Sequence, residues 1–165
     1  MVLMRRRTLL QAGLGGAALL AAGGVAILAG RDATRDRATV LGAVVPALLE
    51  GALPGDADAR KAAVRRCVDA TVAAIEGLTP ASQAELAQLF ALLGSAPGRR
   101  LLAGVREDWA EASTTEVAAF LEGWRRHSAT LLRTGYAALH DLVLGSWYAD
   151  AAAWPAIGYD GPPAL

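Results

Sequence analysis

The chain has one cysteine, Cys67, and two histidines, His127 and His140, among its 165 residues. A lone cysteine excludes an internal disulfide framework. With no His-x-x-x-His or Glu-x-x-His spacing, a metal site has almost no ligands to draw on. Covalent haem attachment needs Cys-x-x-Cys-His, which is absent. Neither Ser95 nor Ser146 stands in a Gly-x-Ser-x-Gly elbow. Aromatic residues make up only 5% of the chain, and β-branched residues never gather in alternating runs. Ala and Leu dominate instead, which points to an all-α domain.

What is present begins with "MRRRTLLQAGLGGAALLAAGGVAILAG", Met4 to Gly30. Arg5, Arg6 and Arg7 precede 23 positions without a charge, Thr8 to Gly30. A basic stretch followed by an apolar one is the layout of an export signal. Arg6-Arg7-Thr8-Leu9-Leu10-Gln11 resembles the twin-arginine signal of bacteria, with Arg6, Arg7, Leu9 and Leu10 as its key positions. Leu9 stands where that pattern often has Phe, and Gln11 where it often has Lys. The apolar run is rich in Ala and Gly, mildly hydrophobic, yet long enough to span, since about 20 residues cross a bilayer. Its small-x-small cleavage pattern is weak, so a cut signal and a retained anchor both stay open. Gly13-Leu14-Gly15 with Ala18 mimics a dinucleotide fingerprint, but no strand precedes it.

Beyond residue 30, thirteen bases face sixteen acids. A net charge of about −3 argues against nucleic acid as a partner. The sequence divides into a signal or anchor (1–30), a charged linker (31–38), a helical domain (39–150) and a tail (151–165) rich in Trp, Tyr, Pro and Gly. Five to six helices are expected. The first runs from about Asp36 to Gly51 and contains Pro46. The second is capped by Asp56 or Asp58 and runs to Gly77. Its stripe of Ala63, Val64, Cys67, Val68, Thr71, Val72 and Ile75 predicts that Cys67 is buried. Ser82 with Glu85 offers a capping box for a third helix, which "GSAPG" breaks. A short helix is expected from about Arg99 to Trp109. Ser113 with Glu116 opens the next, with Val117, Phe120, Leu121 and Trp124 on one side. A last stripe, Leu132, Tyr136, Leu139, Val143 and Trp147, ends at Asp150. On one continuous helix His127 and His140 would lie about 220° apart.

Glu107, Asp108 and Glu111, and the pairs Arg99-Arg100 and Arg125-Arg126, read as solvated surface. The tail reads otherwise. Trp147, Tyr148, Trp154 and Tyr159 are four of the chain's nine aromatics. Such rings bury much area for little lost side-chain entropy, so they serve equally to cap the bundle or to dock a partner. With Tyr136 they are the candidate partner-binding residues.

"RRRTLLQAG", "VVPALLEGALPG" and above all "GYAALHDLVLGSWYADAAAWPAIGYDGPP" (Gly135 to Pro163) resemble a known family. It comprises the small twin-arginine-bearing subunits of bacterial FAD-dependent dehydrogenases of the glucose–methanol–choline type, such as subunit 3 of gluconate 2-dehydrogenase. The resemblance implies a non-catalytic chain that binds no cofactor or metal itself. It implies a large subunit that carries FAD, a multihaem cytochrome c as electron acceptor, and export by the twin-arginine translocase. The complex would then reside in the periplasm, with the N-terminal segment a tether to the inner membrane. The alternative is a freestanding, N-terminally anchored periplasmic scaffold without a dehydrogenase partner.

Overall fold

In a computed structural model, residues 33–159 and 161 are described. Among them are six α-helices and no strand: α1 Ala33–Leu48, α2 Ala57–Glu76, α3 Pro80–Gly94, α4 Ala96–Leu101, α5 Thr114–Arg125 and α6 Thr130–Ala149. A 3-10 helix, Ala151–Ile157, follows. The protein is therefore all-α. Residues 33–38 of the expected linker form the first turns of α1, and the expected signal or anchor (1–30) lies outside the described residues.

Side-chain caps decide most boundaries, because the first turn of a helix leaves backbone N–H groups without intrahelical acceptors. Asp56 Oδ1 accepts from the Ala59 amide at 2.8 Å and starts α2. Thr79, not Ser82, caps α3, taking the Ser82 amide at 3.3 Å. Pro80 explains the earlier start, since a first-turn position needs no N–H and its φ is already helical. Ser113 and Glu116 make the expected reciprocal box, with the Ser113 hydroxyl and the Glu116 carboxylate each taking the other's amide at 3.2 Å.

Two expected elements come out differently. α4 covers Ala96–Leu101, and the expected helix to Trp109 is not formed. Ser95 is both the end of α3 and the cap of α4: its hydroxyl donates to Leu92 O at 2.6 Å and accepts from the Gly98 amide at 3.0 Å. Pro97 then sits comfortably in the first turn. Gly104, at φ 71°, ends the helical path. His127 lies outside α6, so the 220° relation to His140 does not apply. Instead its Nδ1 accepts from the Ala129 amide at 3.0 Å. Arg133 donates to the carbonyls of His127 and Ser128 at 2.6 and 2.7 Å, fixing the α5–α6 corner.

Helix α1 is the hub and packs on α2, α3, α5 and α6. Its Val40, Leu41, Val44, Val45 and Leu49 rim are almost wholly buried. From α2 come Ala63, Cys67, Thr71 and Ile75, a four-residue spacing that keeps one face inward. Phe90 of α3 is fully buried, where truncation to Ala costs about 3–5 kcal/mol. Trp109, Phe120 and Trp124 form a ring series with centroids 5.8 and 4.8 Å apart.

The bundle has two distinct ends. At one, Asp36 in the first turn of α1 abuts Gly94, where α3 gives way to α4. The end of α5 joins it through Trp124, against which Gly135 of α6 also packs. At the other lie the α1–α2 turn and the end of α6, where Asp150 reaches Arg66 at 3.5 Å.

Candidate functional site

The tail folds onto the end of α6. Asp150 closes that helix; its carboxylate accepts from the Ala152 amide at 2.9 Å and its carbonyl from the Ala153 amide at 2.9 Å. Ala153 is thereby tucked into the core. Trp154 then turns back, its indole donating to Tyr148 O at 2.9 Å. Tyr159 meets Trp154 edge-on, with ring centroids 5.2 Å apart. Gly158 and Gly161, at φ 68° and 101°, supply the reversals that this path requires.

The five candidate partner-binding residues separate. Tyr148 and Tyr159 are 44% and 46% exposed, with half-buried Trp154 between them in the fold. Trp147 is buried and belongs to the core, and its indole N–H has no partner among the described residues. Tyr136 is half-buried, with its ring 5.5 Å from that of His140. Eleven residues of helix, about 16 Å, separate it from Trp147. The surface that could receive a partner is therefore Tyr148, the edge of Trp154 and Tyr159. Arg6, Arg7, Leu9 and Leu10 lie outside the described residues.

Three tryptophans share a device. Trp109 donates to Leu93 O at 2.9 Å, Trp124 to Leu102 O at 2.8 Å, and Trp154 to Tyr148 O. Each acceptor lies at the C-terminal end of a helix, where carbonyls lose their intrahelical donors. The indoles therefore anchor the segments that follow α3, α4 and α6, burying area and satisfying a polar group together.

One charged pair escaped the sequence reading. Arg99 is only 6% exposed, and its guanidinium meets Asp108 at 2.5 Å. Arg99 O also accepts from the Val105 amide at 3.1 Å. This pair closes the α4–α5 loop on itself, with Arg99 buried rather than solvated and Asp108 still at the surface, 74% exposed. Two adjacent arginines gave no sign that one would turn inward, because only the Ser95 turn sets their direction. Arg125 and Arg126 do remain exposed, both paired to Glu122. The Arg125 hydrogen bond holds that carboxyl below its usual range.

Cys67 is buried, as its stripe predicts. Burial pushes the thiol pKa up, against a smaller opposing effect of the Thr71 hydrogen bond. Among the described residues no group of three or more His, Cys, Asp and Glu is placed to hold a metal ion. No described helix is long and apolar enough to cross a membrane. A shallow apolar groove between α1 and α2, floored by Pro46, Val64 and Val68, is rimmed by Arg60, Lys61 and Arg65. Comparison with family models, curated proteins and solved structures yields no match.

Proposed function

We propose that this chain is a non-catalytic small subunit that escorts a folded FAD-dependent alcohol or sugar dehydrogenase across the inner membrane and stays bound to it. The twin-arginine route carries folded proteins, so the flavin enters the partner before transport. The observation that carries the reading is the pairing of "RRTLLQ" at one terminus with an aromatic C-terminal surface at the other. Tyr148, Trp154 and Tyr159 form a small apolar patch with polar edges, held in place by the indole bond to Tyr148 O. Preordered tyrosine and tryptophan suit docking because little side-chain entropy remains to be lost.

Replacing Arg6 and Arg7 by Lys tests the route. Both this chain and its dehydrogenase should remain in the cytoplasm, and a dehydrogenase that still reaches the periplasm would refute the escort role. Co-purification with Tyr148→Ala and Tyr159→Ala tests the surface, and binding should fall by about tenfold or more for the pair. The second reading, a freestanding anchored scaffold, draws on the burial of Trp147 and Ala153, through which the tail serves its own bundle. A chain that purifies alone, with no flavoprotein, favours that reading.

A further inference from the structure

Among the described residues, the most exposed of the large apolar side chains is not in the tail. Leu101, the last residue of α4, is 82% exposed, and Leu102 beside it is 40% exposed. A leucine so exposed at a fixed position is informative, because the backbone around it is not loose. Leu102 O is held by the Trp124 indole at 2.8 Å, and the Arg100 guanidinium donates to Arg106 O across the loop at 3.4 Å. Ala103 and Val105 are buried beneath, and Arg99 with Asp108 locks the base. The loop is a rigid knuckle with leucine at its tip.

Its surroundings are cationic. Arg100 and Arg106 are exposed on the knuckle, and Arg125 and Arg126 follow directly on Trp124, which touches it. Arg133 braces the adjoining corner. The acids at this end are Glu107 and Asp108, both exposed, the latter held by Arg99, then Glu122, already shared by Arg125 and Arg126, and Asp36 in the first turn of α1. Six arginines, Arg99, Arg100, Arg106, Arg125, Arg126 and Arg133, thus meet four acids, whereas at the opposite α1–α2 turn Glu50, Asp56 and Asp58 are balanced by Arg60, Lys61 and Arg65.

The position of the chain's apolar run decides what such a surface meets. The 23 uncharged residues end at Gly30, and α1 begins at Ala33. The first turn of α1 abuts Gly94, and Leu101 lies seven residues further on, about 10 Å of mostly helical chain. A bilayer holding the apolar run would therefore lie within reach of the knuckle. We propose that this end of the bundle rests on an anionic bilayer, with Leu101 inserted at the acyl boundary and Arg100, Arg106, Arg125 and Arg126 at headgroup level. An exposed apolar tip ringed by arginines matches the layered polarity of that interface. The proposal rests on a membrane-held Thr8–Gly30 but not on the dehydrogenase partner, so either can fail alone.

The test uses the full chain with Cys67→Ser and one new cysteine carrying a polarity-sensitive dye, placed by Leu101→Cys or, at the far end, Ala57→Cys. Both positions are exposed, so neither replacement opens the core. In vesicles of phosphatidylglycerol and phosphatidylethanolamine, the dye at 101 should shift to the blue and be quenched by brominated acyl chains. The dye at 57 should do neither. Phosphatidylcholine vesicles should give a weaker response at 101. Arg100→Gln with Arg106→Gln should lower the inserted fraction by roughly ten- to thirtyfold in equilibrium constant. A dye at 101 that stays in water on anionic vesicles overturns the proposal, as does equal quenching at 57. A shift at 101 that needs an added flavoprotein, without lipid quenching, also overturns it and assigns the knuckle to a protein.

Discussion

The two ends of the bundle solve the same problem, fixing a non-helical segment after a helix, with different strength. At the α4 end the backbone itself is committed. A Cβ on Gly98 would lie 1.9 Å from Leu92 O, two tryptophan indoles hold helix-end carbonyls, and a buried arginine closes the loop. At the tail end the segment is strapped on by one indole, one buried alanine and an exposed ion pair between Arg66 and Asp150. Exposed pairs of that kind contribute little, about 0–1 kcal/mol. The difference teaches that the first end is part of the fold, whereas the second is a fitting attached to it.

The comparison is broken hardest by Gly98→Ala. Its methyl group must displace backbone rather than a flexible side chain, so a loss of about 3–5 kcal/mol is expected in denaturant unfolding. A change within experimental error would mean that α4 is as loosely held as the tail. Next comes Asp108→Ala, which leaves the Arg99 guanidinium buried without its carboxylate. Because Asp108 itself is 74% exposed, solvent screens the pair, and about 1–2 kcal/mol is the expected cost. Arg99→Met on that background should recover much of the loss; no recovery would deny the buried charge its role.

Ending the chain after Asp150 sharpens the contrast from the other side. It removes Ala153 and Trp154 but no α-helix, so thermal stability should fall by about 1–2 kcal/mol with helical circular dichroism nearly unchanged. Collapse of the helical signal would make the tail a core element. The smallest effect concerns Cys67. Burial raises its thiol pKa above the ordinary 9.0 in the folded chain only. Its contribution is thus intact below that value and drains away as pH rises through the folded pKa. Cys67→Ala should flatten the alkaline fall in stability, and native Cys67 should alkylate more slowly than the unfolded chain. Equal rates would place the thiol at the surface.

Much of the helical layout was legible beforehand because it depends on local chemistry. Asp56, the Ser113–Glu116 box and the stop at Asp150 each act within a few residues of themselves. The α2 stripe predicted the burial of Cys67 for the same reason: helical spacing alone puts residues 63, 67, 71 and 75 on one face. The candidate site was legible only in part. Composition marked Trp147, Tyr148, Trp154 and Tyr159 as a group but could not say that Trp147 points into the core and Tyr148 away from it. Adjacent helical residues diverge by about 100°, and only the packed neighbours fix which one is buried. The break between Arg125 and Thr130 is set by Arg133 and the His127 ring, not by a Gly or Pro, so no local signal marks its bounds.

By itself the sequence determined an all-α chain, a basic and then apolar N-terminal stretch, and the turns at which most helices begin and end, since each follows from residues close in sequence. Tertiary structure alone decided that Arg99 turns inward to Asp108 while Leu101, two residues later, faces outward. It also decided that three tryptophans serve helix ends. Those outcomes depend on which carbonyl or carboxylate lies nearby in the fold, from 6 to 22 residues away along the chain, and no local pattern carries that information.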